Sequence, residues 1–393
     1  MKIESIRLKN YKVFRDVQLT DIPSFLVVVG ANGSGKSTLF DVFGFLHDCL
    51  KGNVRQALDS RGRFREVLSR GATDDTMLIE IQYRMPLTGV ERLVTYSLEI
   101  GERDGAPFVK RELLRYKRGR YGSPFHFLDF ANGEGYAITN EEDFKKPDED
   151  LERESQRVAP DILAIKGLGQ FERFKAANAF RQLIESWHVS DFHISAARGR
   201  KEAAGESEHL SETGDNLPLV ARYLYEQHRP AFQTILDTMA RRVPGIASVE
   251  PVLMEDGYLT LRFQDGSFKT PFIDRYVSDG TIKMFAYLVL LNDPAPHPLL
   301  CVEEPENQLY PKLMSELAEE FRRYADKGQV MVSTHSPDFL NAVELDEVCW
   351  LVKQDGATVI RRARDDEQIK AYMAEGDQMG YLWKQGFFDG ADP

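Results

Sequence analysis

The sequence predicts an α/β protein with a mixed, mainly parallel core sheet, an antiparallel β layer and a helical insert. A continuous apolar run at 25–29 leads into a glycine-rich turn and a helical stretch, which is typical of a strand buried on both faces. Residues 76–136 form short segments rich in Ile, Val, Tyr and Phe, separated by Gly or Pro, which favour antiparallel strands. From 281 onward helical stretches alternate with apolar strands, and this alternation indicates a parallel sheet.

The length and composition are those of a folded globular protein. A chain of 393 residues has room for two or three domains, or for one large domain with an insert. Apolar residues make up 42% and charged residues 28%, which excludes disordered and collagenous classes. The longest apolar run, 284–291, is far shorter than the roughly 20 residues of a membrane span. The first ten residues alternate charged and apolar side chains, unlike a secretory signal, so we expect no membrane contact and a cytoplasmic location.

The order of these patterns predicts three parts. Alternation over 3–19 indicates a strand pair that opens the fold. The stretch 141–156 carries eight acids and three bases, as a solvated linker does, and helical spacing follows over 161–188 and 217–242. Strand patterns return after 245. We therefore predict an N-terminal lobe at 1–140, a mainly helical insert at 141–245 and a C-terminal lobe at 246–393.

The glycine-rich turn predicts a phosphate-binding loop. Residues 30–37, GANGSGKS, match G-x-x-x-x-G-K-[ST] between a predicted buried strand and a helix. Backbone N–H groups of such a loop surround phosphate oxygens, and the helix N-terminus favours negative charge. Lys36 is expected to reach the β and γ phosphates, and the Ser37 hydroxyl to ligate Mg²⁺. The predicted nucleotide-binding residues here are Gly30, Asn32, Gly33, Ser34, Gly35, Lys36, Ser37 and Thr38.

Two adjacent acids follow another predicted buried strand. The apolar run 299–302 ends in Glu303 and Glu304, and the carboxyl ends of parallel strands are the usual ligand side of such sheets. We expect Glu303 to complete the Mg²⁺ site and Glu304 to orient an attacking water. Solvated acids at the end of a strand are the alternative interpretation.

Two further motifs have both a functional and a structural interpretation. His335 follows the apolar run 329–333, where an imidazole can donate to a γ-phosphate or to water, or can serve the fold alone. Ser278 and Gly280 open a predicted helix, whose hydroxyl and N–H groups suit an anion but also suit a plain helix cap.

Taken in chain order, these motifs resemble the ABC ATPase superfamily, and more narrowly the single-head SMC/RecF-like ATPases related to the ATPase part of OLD-family proteins. The order of phosphate loop, signature, acidic strand and histidine is the family's order. The resemblance implies an ABC-type ATPase head that binds ATP and Mg²⁺ between two chains of a homodimer. It implies that Lys36 and Ser37 bind nucleotide and Mg²⁺, and that Glu303 completes the metal site. It also implies that Glu304 is the catalytic base and His335 the switch histidine. Ser278 and Gly280 would contact the γ-phosphate of ATP held by the second subunit.

Some positions depart from the family pattern or carry weak signals. Glu303 stands where many relatives have aspartate, Val277 where leucine is usual, and Tyr310 where histidine is frequent. Gln82 is the candidate for the family's glutamine loop and a metal ligand, or else an ordinary polar strand position. Lys12 occupies the place where SMC-like heads carry a basic residue near the nucleotide, so we count it among the candidate nucleotide-binding residues.

Two functions are compatible with this reading. The first is an Mg-dependent ATPase that dimerises on ATP and switches a separate effector protein, such as a nuclease or toxin subunit of a bacterial defence system. The alternative is a DNA repair ATPase that acts on DNA ends or gaps. The net charge of −12 and the lack of sustained heptads favour the first. Nucleic-acid binding stays possible through the stretch 110–121, which has six positive residues and one negative, unless this is a solvated strand face.

Overall fold

A computed structural model describes residues 2–87, 90–116, 125–141, 150–192, 194–198, 201–202, 205 and 207–391. The strands are β1 (Lys2–Tyr11), β2 (Phe14–Leu19), β3 (Phe25–Val29), β4 (Thr76–Leu87), β5 (Val90–Arg103), β6 (Ala106–Tyr116), β7 (Phe125–Ala131), β8 (Glu134–Ile138), β9 (Arg153–Arg157), β10 (His188–Ser190), β11 (Lys201–Glu202), β12 (Ile246–Leu253), β13 (Tyr258–Asp265), β14 (Phe272–Ile273), β15 (Leu299–Glu303), β16 (Gln329–Ser333), β17 (Val348–Gln354) and β18 (Ala357–Arg362).

The helices are α1 (Lys36–Lys51), α2 (Val54–Asp59), α3 (Phe64–Val67), α4 (Ala164–Leu168), α5 (Lys175–Glu185), α6 (Ile194–Ala197), α7 (Leu217–Gln227), α8 (Arg229–Arg242), α9 (Asp279–Leu291), α10 (Leu313–Tyr324), α11 (Pro337–Leu340), α12 (Glu367–Glu375) and α13 (Met379–Lys384). Short 3₁₀ helices lie at Asp274–Tyr276, Leu345–Glu347 and Ala363–Asp365. Among the described helices, none combines the length and apolar character that crossing a membrane requires.

The core sheet has the order β10-β15-β16-β3-β17-β18. Its first five strands are parallel, and β18 closes the edge antiparallel to β17. All five residues of β3 are buried, and successive side chains point into different cores: Leu26 and Val28 into one, Val27 and Val29 into the other. The uninterrupted apolar run of β3 follows from this position, because both faces of the sheet are covered.

An antiparallel layer covers one face of this assembly. Its order is β2-β1-β4-β5-β6-β7-β8-β9. On β4 the buried side chains of Ile79, Ile81 and Tyr83 alternate with half-buried ones, so one face of the layer packs into the core. The prediction of short strands over 76–136 was wrong for β4, β5 and β6, which have 12, 14 and 11 residues. They are long because β5 pairs with β4 over the whole length of β4 and with β6 on its other side.

The predicted insert at 141–245 is divided between neighbouring layers. Its helices α4 and α5 belong to the core that contains the antiparallel layer, whereas α7 and α8 belong to the opposite core with α9. Its strand β10 pairs with β15 in the core sheet, and β9 pairs with β8 in the antiparallel layer. A smaller sheet of β11, β12, β13 and β14 lies beside α7 and α8. The division of the chain into three domains therefore stays a prediction.

Two buried carboxylates bind the first turns of α4 and α5. The Glu112 carboxylate on β6 accepts the backbone N–H of Ile165, at 3.1 Å, and that of Ala164. The Glu141 carboxylate accepts the N–H of Ala176, at 2.8 Å, in the first turn of α5. Such bonds satisfy N–H groups that lack a partner within the helix. Burial raises the pKa of Glu112 to about 7 and that of Glu141 to about 8.

This environment predicts a pH-dependent stability. The pKa of Glu112 is raised on folding, so its contribution to stability is complete below the unfolded pKa and is lost as pH rises to about 7. The free energy of unfolding should fall between pH 5 and 7.5 by on the order of a few kcal/mol, at about 1.4 kcal/mol per unit of pKa difference. Urea titrations at several pH values measure the slope of the unfolding free energy against pH, and Glu112→Gln should make this slope less steep.

The matched control is Glu91→Gln, since Glu91 is an exposed carboxylate on the neighbouring strand β5. It should keep the wild-type slope. A Glu112→Gln slope identical to that of wild type would show that this carboxyl group does not titrate differently in the folded protein.

Candidate nucleotide-binding site

The loop between β3 and α1 has a backbone that only glycine tolerates at its key positions. Gly30 and Gly35 have φ of +155° and +108°. A Cβ on Gly30 would lie 2.6 Å from the carbonyl oxygen of Leu351, and one on Gly35 would lie 2.6 Å from the Cγ2 atom of Val13. Gly35 therefore lets the start of α1 lie directly against the turn between β1 and β2.

Lys36 is the buried cation of this loop. Its side chain is 6% exposed, and its Nζ atom donates to the carbonyl oxygen of Gly30 at 2.8 Å. Burial lowers the pKa of Lys36, an effect that the nearby acids Glu304, Glu306 and Glu303 oppose. The ammonium is thus fixed inside the loop, where an anion would meet it.

The other predicted loop residues differ in exposure. Asn32 and Ser37 are exposed, and Thr38 is half-buried in the first turn of α1. The buried Ser34 Oγ atom has no hydrogen-bond partner among the described residues. A polar atom left unpaired in a cradle of backbone N–H groups fits a site made for a polyanion.

The Ser37 hydroxyl donates a hydrogen bond to the Glu303 carboxylate. The sheet brings them together, because β15 and β3 flank β16 in parallel and therefore end at the same edge. Burial raises the pKa of Glu303, and the bond from Ser37 opposes this rise. A hydroxyl and a carboxylate oxygen in contact are the hard ligands that Mg²⁺ prefers, so the residues present fit this ion.

Glu304 leaves the strand in an unusual conformation. Its φ is +42°, a backbone conformation that residues other than glycine rarely adopt. Its N–H donates to the Ser333 carbonyl oxygen at 2.9 Å. Its carboxylate accepts from the Asn307 amide at 2.9 Å, and its other oxygen lies 3.6 Å from the Nε2 atom of His335. The strained backbone turns Glu304 out of the sheet toward the histidine.

His335 lies between the acids and the loop lysine. Burial lowers its pKa, the positive charge of Lys36 lowers it further, and Glu304 opposes both. Its backbone N–H donates to the Glu306 carboxylate, an acid that the sequence analysis did not select. Burial raises the pKa of Glu306, and its second oxygen has no partner within the described part of the chain.

A family model described as "AAA domain, putative AbiEii toxin, Type IV TA system" matches residues 25–341, which include the loop, the acidic strand and His335. The chain belongs to this family. A comparison with curated protein sequences gives no match.

Solved structures show the fold of this AAA-domain protein. An SMC head bound to the C-winged helix domain of ScpA has 14% identity, covers 92% of this chain and 97% of its own, and gives a TM-score of 0.56. A second match is an SMC head with an extended coiled coil, bound to the C-terminal domain of ScpA and derived from Pyrococcus furiosus. It has 14% identity, covers 95% of this chain and 99% of its own, and gives a TM-score of 0.52. The predicted fold class is thereby confirmed, and the resemblance to SMC-type ABC ATPase heads is confirmed at the level of the fold.

An acid missed in the sequence lies beside Glu303. In this AAA domain, Asp191 directly follows β10, whose Ser190 pairs with Val302 of β15. Asp191 and the two strand-end acids line one cleft of about 810 Å³. Asp191 follows the same rule as Glu303, an acid at the carboxyl end of a core strand. However, three strand residues are too few to be recognised as a strand.

A buried lysine beside the site was also not predicted from the sequence. Lys283 lies on α9, where its spacing resembles that of the apolar core residues around it. Its Nζ atom donates to the carbonyl oxygen of Asn307 at 2.9 Å and to that of Glu304 at 3.4 Å. Burial lowers the pKa of Lys283 to about 8, although Glu306 and other acids oppose this. The lysine holds the turn that carries Glu304.

The predicted signature residues line a second cavity, which adjoins the acidic cleft because Asp279 and Gln308 line both. Ser278 caps α9, and its hydroxyl oxygen accepts the N–H of Thr281 at 3.3 Å. A Cβ on Gly280 would lie 2.9 Å from the Gln308 carbonyl oxygen, so α9 begins in close contact with the segment after β15. Ser278 and Gly280 line a cavity with the exposed Tyr310. No described hydrogen bond or ion pair joins them to the loop at 30–37.

Lys12 is bound to α1. Its Nζ atom forms an ion pair with Asp41 at 2.5 Å, and Asp41 also accepts from Arg61 at 2.7 Å. The lysine therefore lies near the loop, but with its charge already paired.

Gln82 requires a correction. It lies in the middle of β4, opposite Ser5 of β1. The neighbouring Ile3 is bound by the Gln329 side chain at the amino end of β16, whereas Ser37 and Glu303 meet at the carboxyl ends of the core strands. Gln82 thus lies near the amino ends of the core strands, away from the contact of Ser37 with Glu303 at their carboxyl ends, which is the wrong place for a ligand of that metal site.

Proposed function

We propose that the chain binds ATP with Mg²⁺ at the loop and hydrolyses it. The contact between Ser37 and Glu303, next to a turned-out Glu304, carries this proposal. Ser37 and Glu303 would hold the ion, which would supply positive charge to the phosphate oxygens. The Lys36 ammonium would exchange its bond with the Gly30 carbonyl oxygen for a bond to phosphate.

Around this centre the loop supplies binding and orientation. The N–H groups of Asn32, Gly33, Gly35 and Thr38 would donate to phosphate oxygens. Ser34, whose N–H donates to the Ala31 carbonyl oxygen at 3.1 Å, would donate its unpaired hydroxyl instead. Lys12, which is paired with Asp41, would act only by holding α1 in place. These roles follow from the loop conformation that Gly30 and Gly35 require.

Glu304 would act as the general base for the attacking water. The Asn307 amide and the strained backbone fix its carboxylate on the cleft, and 41% of its side chain is exposed. His335 would then orient the water or the terminal phosphate from its position 3.6 Å away. Its lowered pKa keeps the imidazole neutral and able to accept or donate a single proton.

Replacing the base should separate binding from turnover. Glu304→Gln keeps the amide contact possible but cannot take a proton, so ATP should still bind while hydrolysis falls by about 10²- to 10⁴-fold. Nucleotide binding by fluorescence and phosphate release measure the two effects. Glu375→Gln, at an exposed end of α12, is the control and should leave both unchanged. Equal turnover by wild type and Glu304→Gln would remove Glu304 from the mechanism.

The composite site is the second part of the proposal. The chain has one phosphate loop and one signature motif, and within one chain the described contacts leave Ser278 and Gly280 apart from the loop. Two chains related by a twofold axis would place the signature of each against the loop of the other. Nucleotide held between the chains would then stabilise the dimer by linkage.

A mixture of two inactive variants tests this arrangement. Lys36→Ala removes a phosphate contact from its own chain's site, and Ser278→Arg removes the signature contact that its chain supplies to the other site, so neither should hydrolyse ATP alone. Each mixed dimer has one complete site, and an equal mixture of freely exchanging chains should recover about a quarter of wild-type activity. The ATPase rate after mixing measures this.

The control mixture combines Lys36→Ala with a chain that carries both substitutions. No mixed dimer then has a complete site, so the rate should stay at background. Recovery in this control, or a wild-type rate per chain that is independent of protein concentration in a strictly monomeric sample, would exclude the composite site.

We further propose that the ATPase switches a separate effector protein, a nuclease or toxin subunit of a bacterial defence system. The family description, with its putative toxin of a type IV toxin–antitoxin system, supports this class of role. The solved SMC head bound to a winged-helix domain of ScpA supports a protein partner for a head of this fold. The net charge of −12 also fits a protein partner better than DNA.

The alternative, a DNA repair ATPase, depends on the basic stretch 110–121. Arg111 pairs with Asp129 at 3.2 Å, and Arg115 lies 3.7 Å from Glu80. Lys117 and Arg118 lie outside the described residues. Positive side chains that already face carboxylates have less to gain from phosphate contacts, so we rank this function second.

Charge reversal distinguishes the two functions. The double variant Arg111→Glu, Arg115→Glu should leave DNA binding as weak as in wild type at physiological salt, measured by fluorescence anisotropy with a labelled duplex. Strong wild-type binding that falls steeply with salt and is lost in the variant would instead favour the repair function.

A further inference from the structure

A cluster of histidine and aspartate lies at the end of the core sheet opposite the loop. His209 precedes α7, Asp293 follows α9, and His297 precedes β15 by two residues. One ligand atom from each residue lies within 4.8 Å of the others. The three come from separate segments, so the fold and not the local sequence brings them together.

His297 is oriented as a metal ligand is. Its Nδ1 atom lies 3.0 Å from the Ser186 carbonyl oxygen, which can only accept, so Nδ1 carries the proton. The Nε2 atom then has a free lone pair. Nε2 is buried, the residue is 9% exposed, and the described structure offers this atom no hydrogen-bond partner. A backbone carbonyl that fixes the tautomer in this way is the usual outer contact of a metal-binding histidine.

Asp293 and His209 complete the cluster. The Nδ1 atom of His209 lies 2.7 Å from one carboxylate oxygen of Asp293, and the other oxygen accepts the N–H of Ala295 at 2.8 Å. Asp293 is almost fully buried, whereas 44% of the His209 side chain is exposed. The cluster therefore has a fixed buried part and one side open to solvent, from which an ion and a water can enter.

An ordinary ion pair between His209 and Asp293 does not explain the whole arrangement. It leaves the Nε2 atom of His297 buried and unpaired, which is costly for a polar atom. His188 stacks on His297 with ring centroids 4.7 Å apart, and its own Nε2 atom is also buried with no partner among the described residues. A cation that accepts the His297 lone pair would remove this cost.

We propose that His209, Asp293 and His297 bind a zinc ion, with water as the fourth ligand. Two imidazole nitrogens and one carboxylate oxygen suit Zn²⁺, whereas Mg²⁺ and Ca²⁺ require mostly oxygen ligands. Ligand atoms around tetrahedral zinc are about 3.3 Å apart, given metal–ligand distances of about 2.0 Å. The pair at 2.7 Å would open slightly on binding, and the exposed His209 is free to make that movement.

The position of the ion gives it a structural effect. Asp293 lies just after the helix that Ser278 caps, and His297 lies two residues before the strand that ends at Glu303. Zinc would join these two elements at the end remote from the nucleotide, and the Ser186 contact adds the segment before β10. Binding to the folded state alone raises stability by linkage, so the effect is measurable without any ATPase assay.

The experiment titrates chelator-treated, full-length protein with Zn²⁺ in excess Mg²⁺, which occupies oxygen-ligand sites. Competition with a chromophoric zinc indicator should give one zinc per chain, together with a higher midpoint of thermal unfolding. His209→Ala and Asp293→Asn should each lower zinc affinity at least tenfold and lose the shift in midpoint. The matched control is His126→Ala, since His126 lies 3.4 Å from Asp129 as a two-residue histidine–aspartate pair.

His209→Ala removes a half-exposed side chain, so circular dichroism of this variant should match wild type even if Asp293→Asn folds poorly. Zinc affinity that is unchanged in a folded His209→Ala variant would overturn the proposal. So would a zinc stoichiometry near zero in wild type, or an equal loss of binding in His126→Ala.

Discussion

The candidate site depends on one constraint, the parallel alignment of β15, β16 and β3. Because these strands run in the same direction and are in register, Glu303 is opposite Ser333, and Ser333 is opposite Val28 just before the loop. The loop, the acid pair and the histidine segment therefore leave the sheet at one edge. The bond from Ser37 to Glu303 is the direct result, and every other contact of the site is arranged around it.

The sheet can hold this alignment because both of its faces are buried. One core supports the loop side through α1 and the antiparallel layer, and the other core supports α9, whose Lys283 binds the turn at Glu304. The two cores thus stabilise different halves of the same site. Strain at Glu304 is tolerated because Ser333 and Asn307 hold the turn on both sides.

The sequence predicted what depends on local pattern. A buried strand followed by GANGSGKS, and acids directly after LLCV, need no tertiary information, and these residues do meet at one edge of the sheet. Asp191 was not predicted as a site residue because β10, which it follows, has only three residues. Lys283 was not predicted because a buried lysine on an apolar helix is recognised only from its partners. Gln82 was misassigned because strand alternation defines a face but not which end of the layer lies near the loop.

The charges of the site indicate why metal and nucleotide would bind together. Glu303, Glu304 and Asp191 line the cleft beside Lys283, while Lys36 donates to a loop carbonyl. Carboxylates at this density repel a triphosphate, and burial raises the pKa of Glu303 because the ionised form is poorly solvated. A divalent cation between Ser37 and Glu303 would remove both penalties, since it pairs with the carboxylate and attracts phosphate oxygens. On the proposed function, the acidic edge would therefore favour a metal–nucleotide complex over free nucleotide.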